Sequence, residues 1–294
     1  MAGIRLEFSQ FGDFDSFDIL RSISPMSVAA LPAPLATGLL TMYYVDTAVV
    51  EGAAYYYRAR VWRDGASQVS DEIMILATAS DPEFANVTSL LHFDSAGTGS
   101  ALKDEKGLVW TLHGTAALSD SDYKFAPKSL SSPSGAANYA KCKGTNAINF
   151  AASDKITIEF FFKKTDTAGN ACILAILPSG VERWAFFVRS GATMTVAVYD
   201  GTTFIDKGTG IAINTWVHFA FVKDGASNKV YINGVVLANQ TGSKQITTSC
   251  DLYLGMNGQG AESFTGYIDE FRVTKNVARY TENFTPPYAP FLSN

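Results

Sequence analysis

Cysteine is scarce and unmatched in this chain: Cys142, Cys172 and Cys250 are odd in number and widely spaced. That rules out a disulfide framework and offers no metal-ligand spacing, leaving three thiols buried in strands as the plain reading. Charge is also sparse, at 17% of residues with a formal net of −5, and no run of Lys or Arg occurs. Nucleic-acid binding therefore has no electrostatic footprint. No stretch approaches the ~20 apolar residues that span a bilayer, so membrane insertion is not expected. Histidine is limited to His92, His113 and His218, and there is no Gly-x-Ser-x-Gly elbow to support a serine hydrolase. The first residues, Met1 to Phe8, alternate polar and apolar and lack the apolar core of a secretory signal, which predicts synthesis in a cytoplasm without export.

What is present is aromatic and glycine-rich: 20 Phe, 13 Tyr and 24 Gly in 294 residues. Aromatic and β-branched residues suit strands, and glycine suits tight turns. Ile4–Phe8, Phe17–Ser22 and Tyr43–Asp46 read as short strands, with Pro25 to Pro34 as turn or irregular structure. Ala54–Trp62 is the strongest strand of this part, and Asp64-Gly65 turns it into a single return strand over Val69–Ile75. The small, polar stretch Ala77 to Glu83 contains Pro82 and marks a domain boundary, short enough to couple the two modules semi-rigidly. From there, strand follows strand: Leu90–Phe93, Val109–Leu112, Ile156–Phe162, Trp184–Val188, Met194–Tyr199, Trp216–Val222, Lys229–Ile232, Val235–Leu237, Leu252–Gly255 and Gly266–Val273. Ile156, Ile158, Phe160 and Phe162 share one face. Many short strands between regular turn signals predict an all-β sandwich or jelly roll.

The first 79 residues resemble a fibronectin type III-like, Ig-like sandwich through the Tyr-rich strand Tyr55-Tyr56-Tyr57-Arg58-Ala59-Arg60-Val61 and the short strand after it. The tyrosines themselves read as core, one of them closing a tyrosine corner onto nearby backbone. Residues 80–85 are the linker. Residues 86–294 resemble a laminin G-like, concanavalin A-like jelly roll. The motifs that carry this likeness are, in order, Leu90-Leu91-His92-Phe93-Asp94, the turn Asp104-Glu105-Lys106-Gly107, Ile156–Phe162, Thr215–Val222, Lys229-Val230-Tyr231-Ile232-Asn233-Gly234 and Gly266–Val273. The segment Thr274–Pro287 is similar to the tail that follows this module in bacteriophage virion proteins. The resemblance implies a phage structural protein of the tail or capsid decoration, held in the virion by other virion proteins or by copies of itself. It also leaves open attachment to host-surface polysaccharide.

The jelly-roll likeness raises glycoside hydrolysis as an alternative, which needs two carboxylates flanking the scissile bond. No alternating acidic strand is found. Asp269 and Glu270 are adjacent and should face opposite sides of a strand, and Glu159 stands alone. The expectation is a protein that is not an enzyme. His218 shares a face with Trp216, Ala220 and Val222 and reads as structural. The family resemblance implies a structural Ca2+ held by Asp94 and Asp269, with Asp104 a third ligand, although these Asp residues also suit turn caps. Glycan binding needs aromatics and amide or acid groups at one rim. Tyr199, Asp200, Asn257 and Gln259 are the candidates, with Trp184 and Tyr253 as further aromatics; Trp184, Tyr199 and Tyr253 could equally be core or surface strand residues.

Overall fold

The computed structural model describes residues 4–9, 12–50, 52–77, 81–94, 101–135, 137–178, 184–189, 194–199, 204–207, 210–241, 245–260 and 262–293. The chain is all-β and divides into two compact units, Met1–Asp81 and Pro82–Ser293. Strands are numbered in chain order.

In the first unit, β1 (Ile4–Glu7) pairs with β4 (Tyr43–Asp46) as a two-stranded ribbon. The facing sheet runs β3 (Pro34–Leu39), β2 (Ser16–Ser22), β5 (Ala54–Arg63). The far edge of β5 carries both β6 (Ala66–Val69) and β7 (Ile73–Leu76), so the expected single return strand is broken in two. β3 begins at Pro34, the last residue of the stretch read as turn or irregular structure: it lies on an edge, where a missing N–H costs no ladder bond. Ile4, Leu6, Ile19, Tyr55 and Tyr57 make the core. The Tyr55 hydroxyl accepts the Val50 N–H at 2.9 Å, the expected tyrosine corner. The Tyr57 hydroxyl donates to Asp46 at 2.8 Å, and Arg21 donates to the same carboxylate. Burial and that carboxylate push the Tyr57 pKa up.

The second unit stacks two sheets. The front sheet runs β9 (Ala101–Lys103), β10 (Val109–His113), β13 (Tyr139–Thr145), β22 (Cys250–Leu254), β15 (Ala171–Pro178), β16 (Trp184–Arg189), β17 (Thr195–Tyr199), β18 (Phe204–Lys207). The back sheet runs β11 (Ala117–Ser119), β12 (Ser129–Ser132), β23 (Gly266–Lys275), β14 (Lys155–Lys164), β19 (Val217–Asp224), β20 (Ser227–Ile232), β21 (Val235–Thr241). β8 (Val87–Leu91) adds to β23. Ile156, Ile158, Phe160 and Phe162 face the core as their alternation predicts, opposite Trp110, Phe186 and Leu254. Trp184 belongs here too, edge-on to Phe150 and Phe221, so it is a packing residue and not a ligand contact. The three cysteines are free and buried. Among the described residues no helix is long and apolar enough to cross a membrane.

Simple alternation fails on the outer side of the back sheet, where Glu159, Phe161, Ala220, Val222 and Tyr231 are also buried. The chain after β23 crosses that side as a strap. The Tyr280 and Phe284 rings stack at 3.5 Å, 5° from parallel, and pack with Tyr231, Ala220 and Val222. The Phe284 N–H donates to the Gly234 carbonyl at 2.9 Å. Gly234 has φ +76°, and a Cβ there would run into the Phe284 carbonyl, so the Asn233-Gly234 turn serves both hairpin and strap. Phe291 pins the far end against Val87, Leu90 and Phe161.

Beneath the strap lies a fully buried carboxylate. Glu159 Oε1 accepts Arg272 Nε at 3.0 Å and Nη2 at 2.8 Å. Its Oε2 accepts the Tyr280 hydroxyl at 2.8 Å, with His218 Nε2 3.3 Å away. Burial would raise this carboxyl, but Arg272, then His218 and Arg279, bring it down to about 2. A depressed carboxylate stabilises the fold above its unfolded value of 4.5 and loses that contribution as pH falls toward 2. Glu159→Gln should therefore cost about 3–5 kcal/mol in urea unfolding at neutral pH, since it strands Arg272. The deficit should narrow as pH falls through that window.

Candidate functional site

The predicted calcium ligands do not gather as a trio. Asp104 is consumed by its own turn: Oδ1 accepts the N–H groups of Lys106 (3.0 Å) and Leu108 (2.8 Å), and Oδ2 accepts the Ser89 hydroxyl at 2.6 Å. It reads as the turn cap and leaves the ligand set. Asp94 and Asp269 instead address one loop. Asp94 Oδ1 accepts the Lys128 N–H at 3.4 Å, while Asp269 Oδ2 accepts those of Lys124 (2.8 Å) and Phe125 (3.0 Å). Asp269 Oδ1 is buried with no hydrogen-bond partner. Burial, with Glu270 adding to it, pushes the Asp269 carboxyl up to about 8. A bulge explains why Glu270 is near. The register of β14 against β23 shifts between Glu159 and Phe161, and Glu270 has φ +54°. Its carboxylate thus swings to the strap side, where Oε2 accepts the Phe291 N–H at 2.7 Å and Oε1 meets His92 Nδ1 at 2.7 Å. The expectation that Asp269 and Glu270 face opposite sides is corrected by that extra residue. Among the described residues no three His, Cys, Asp or Glu side chains form a metal-holding group. A calcium ion here would be held by Asp94 and Asp269, with main-chain carbonyls or water completing its six to eight oxygens. The orphaned Asp269 oxygen is the feature that fits such an ion.

The outer side of the front sheet carries a different arrangement. Strand pairing sets Thr111, Lys141, Tyr253, Ala175, Ala185 and Tyr199 in one row across six strands. Three strand spacings separate Tyr253 from Tyr199, about 14 Å. The neighbouring row begins His113, Tyr139. The His113 and Tyr139 rings stack at 4.5 Å and 12°, and Tyr139 continues to Tyr253 at 5.5 Å. Lys141 Nζ lies 4.7 Å over the Tyr253 ring and 2.8 Å from Asp251. Burial opposes both charges, yet the pair prevails: Lys141 is raised and Asp251 lowered. The result is an aromatic ledge, its Tyr253 end buried against Lys141 and Gly258, with a fixed ion pair along one side. His113, Tyr139, Lys141 and Asp251 are each partly exposed.

The loop from Gly255 to Phe264 folds back over this face. Gly258 has φ +75°, and a Cβ there would lie 2.8 Å from Leu177 and 3.2 Å from Tyr253. Asn257 is buried, not a rim residue: its Nδ2 donates to Glu262 at 3.0 Å and its Oδ1 accepts the Gln259 N–H at 2.9 Å. Gln259 is exposed on the same loop, beside the ledge. Tyr199 is half-buried in the same row, which continues to Phe204 on β18, and packs with the small cluster that contains Phe187 and Ala197. Asp200 lies outside the described residues. Sequence reasoning missed His113, Tyr139, Lys141 and Asp251. The signal was the alternation Tyr139-Ala140-Lys141-Cys142, in which Ala140 and Cys142 face the core.

Residues 134–281 match the family model described as concanavalin A-like lectin/glucanases superfamily. Comparison with curated proteins returns no match. Among solved structures, domain 4 of AbnA, a GH43 extracellular arabinanase from Geobacillus stearothermophilus, in complex with arabinotriose, is similar at 18% identity and TM-score 0.48, over 65% of this chain and 93% of that one. The binding domain of Paraclostridial Mosquitocidal Protein 1 is similar at 15% and TM-score 0.49, over 67% of this chain and 50% of that one. The Ruminococcus gnavus IT-sialidase CBM40 is similar at 18% and TM-score 0.36, over 44% of this chain and 80% of that one. Likenesses at this level say nothing of a ligand.

The raised Asp269 carboxyl sets a pH dependence. A carboxyl whose folded pKa lies above its unfolded 3.8 costs stability as pH rises toward about 8, because the fold holds a proton that the unfolded chain releases. In chelator, the stability of Asp269→Asn relative to the parent should climb from about pH 4 to about pH 8 and then level off. Urea midpoints across that range check it, and a flat difference would count against the raised carboxyl.

Proposed function

The chain belongs to the concanavalin A-like lectin/glucanases superfamily, and from that premise we propose that its second unit is a non-catalytic carbohydrate-binding module. The observation that carries this reading is the partly exposed His113–Tyr139 ring stack, backed by the buried Tyr253, with the Lys141–Asp251 pair beside it. Aromatic faces take the apolar faces of sugar rings, and a preformed ion pair offers donors and acceptors to hydroxyls without new ordering cost. Gln259, on the loop whose Gly258 packs on Tyr253, supplies an amide, and Tyr199 extends the row toward β18.

The absence of catalysis belongs to the same proposal. A glycosidase needs one carboxyl poised as an acid and another as base or nucleophile. Glu159, held near 2 by Arg272, keeps no proton to donate at neutral pH. Glu270 is committed to His92 and the Phe291 amide. A structural Ca2+ at Asp94 and Asp269 is proposed as well, supported by the unpartnered Asp269 oxygen. Calcium would hold the loop around 124–128 against the end of β23, and would take the place of the proton that Asp269 otherwise keeps.

The narrower setting we propose is a bacteriophage particle, with virion proteins as partners and host-surface polysaccharide as the ligand. Its support is the resemblance of Thr274–Pro287 to the tail found on this module in phage virion proteins. Exposed Ile23, Leu40 and Met74 in the first unit are surface available for assembly.

A glycan array followed by calorimetry tests the binding reading. Tyr139→Ala should weaken any glycan hit about fivefold to tenfold, the worth of one aromatic contact of about 1–1.5 kcal/mol. Trp184→Phe, in the core, should leave affinity unchanged. No hit on the array, or hits indifferent to Tyr139, would remove the proposal. For the metal, Ca2+ should raise the melting temperature over chelator in the parent and not in Asp269→Asn. Stable incorporation into purified particles is the expected outcome for the phage setting; a soluble monomer absent from particles would sink it.

A further inference from the structure

The first unit is unevenly layered. Its larger sheet is four strands wide, because β6 and β7 follow one another along the same edge of β5. The sheet facing it, among the described residues, is only β1 and β4. Sandwiches of the immunoglobulin type set three or four strands against three or four. The mismatch leaves core-facing surface uncovered. Ile73 pairs with Tyr57, whose side chain is buried in the core, yet Ile73 is 50% exposed. Beside β1 lies a groove of about 280 Å³ lined by Leu6, Phe8, Ile19, Tyr57, Ala59 and Ile73.

The backbone along this groove is open as well. Phe8 donates its N–H to Met42 at 3.0 Å, on the side of β4. Backbone groups alternate along a strand, so Ile4 and Leu6 also address β4, while Arg5 and Glu7 turn their N–H and C=O groups to the groove side. No described strand pairs with β1 on that side. The step between β1 and β7 therefore offers a hydrogen-bonding edge over an apolar floor. Glu7, paired with Arg5 at 2.8 Å, and the exposed Asp71 line the groove, and the one lining guanidinium, Arg58, is answered by Glu72 at 3.7 Å.

We propose that this step accepts an extended segment of a partner polypeptide, apolar on alternate residues and basic on the others. The extended backbone completes the β1 ladder, the apolar residues cover Ile73 and Leu6, and the basic residues meet Asp71. Strand addition of this kind draws affinity from main-chain hydrogen bonds and selectivity from alternate side chains. A helix would leave the β1 edge unmet. A second copy pairing antiparallel through its own β1 would set Arg5 against Glu7, and it is the rival occupant, seen as a dimer of the parent chain.

The probe is a fluorescent peptide of about six residues, the usual strand length, alternating Val and Lys. Its control has the same composition with the Val and Lys blocked into two runs. Anisotropy titrations use the full chain. The alternating peptide should bind at least roughly tenfold tighter than the blocked one. Glu7→Pro removes an N–H on the groove side and spares the β4 ladder; Ile73→Lys puts a charge on the floor. Each should weaken binding by roughly tenfold or more, and the second stands if the first fails to fold. Equal binding of the two peptides, binding indifferent to both substitutions, or no binding would overturn the proposal. So would a dimer of the parent chain that either substitution converts to monomer, because a second copy would then fill the step.

Discussion

A carboxylate removed wholly from water needs its counter-charges within reach, and much of the second unit is arranged around meeting that need for Glu159. Its partner Arg272 comes from the adjacent strand β23, across the same face. The remaining oxygen is met by Tyr280, from beyond β23. The second contact requires the strap to lie down, and the strap lies down because Tyr280, Phe284 and Phe291 have apolar seats on the sheet. Charge and hydrophobic burial are thus coupled: the strap dries the ion pair, and the ion pair fixes where the strap crosses. This also explains why the outer side of the back sheet departs from alternation while the front sheet keeps a partly exposed outer face.

That difference separates the two sides of the sandwich by use. The back side is closed by the molecule's own chain, so its charged groups are structural. The front side keeps Tyr139, His113, Lys141 and Asp251 partly in solvent, while Cys172, Ala175, Ala185, Phe187 and Ala197 on it are buried. A ligand reading belongs on the side that the chain leaves partly uncovered.

How far the sequence could be read depends on whether local pattern or tertiary contact decided the outcome. The core strand Ile156–Phe162 was legible because both its alternation and its bulk point one way. The Asp64-Gly65 and Asn233-Gly234 turns were legible because positive φ demands those residues. The strand at Pro34–Leu39 was missed because its small, half-exposed residues show no clear alternation after the irregular Pro25–Pro34 stretch. Tyr139–Thr145 was hidden because its outward residues are polar and its inward ones small. The candidate sites were harder. Asn257 looks like an exposed loop amide until the loop is seen folded back, and Glu270 changes sides through a bulge that no spacing rule announces. Trp184 and His218, in contrast, turned out as packing residues, as their strand positions suggested.

The closing strand also has a consequence for how the molecule comes into being. β23 touches β8, β12 and β14, and the Thr88 hydroxyl reaches the Val273 carbonyl 185 residues away. On a ribosome the early strands of this unit emerge long before the strand that joins them. Loop-closure entropy makes such distant pairings slow, and until they form the early strands expose bare edges. The first unit has no such dependence, since its strands close within the opening eighty or so residues. Synthesis should therefore yield one finished module carrying an unfinished one, and that unfinished interval is when the chain most needs protection from its neighbours.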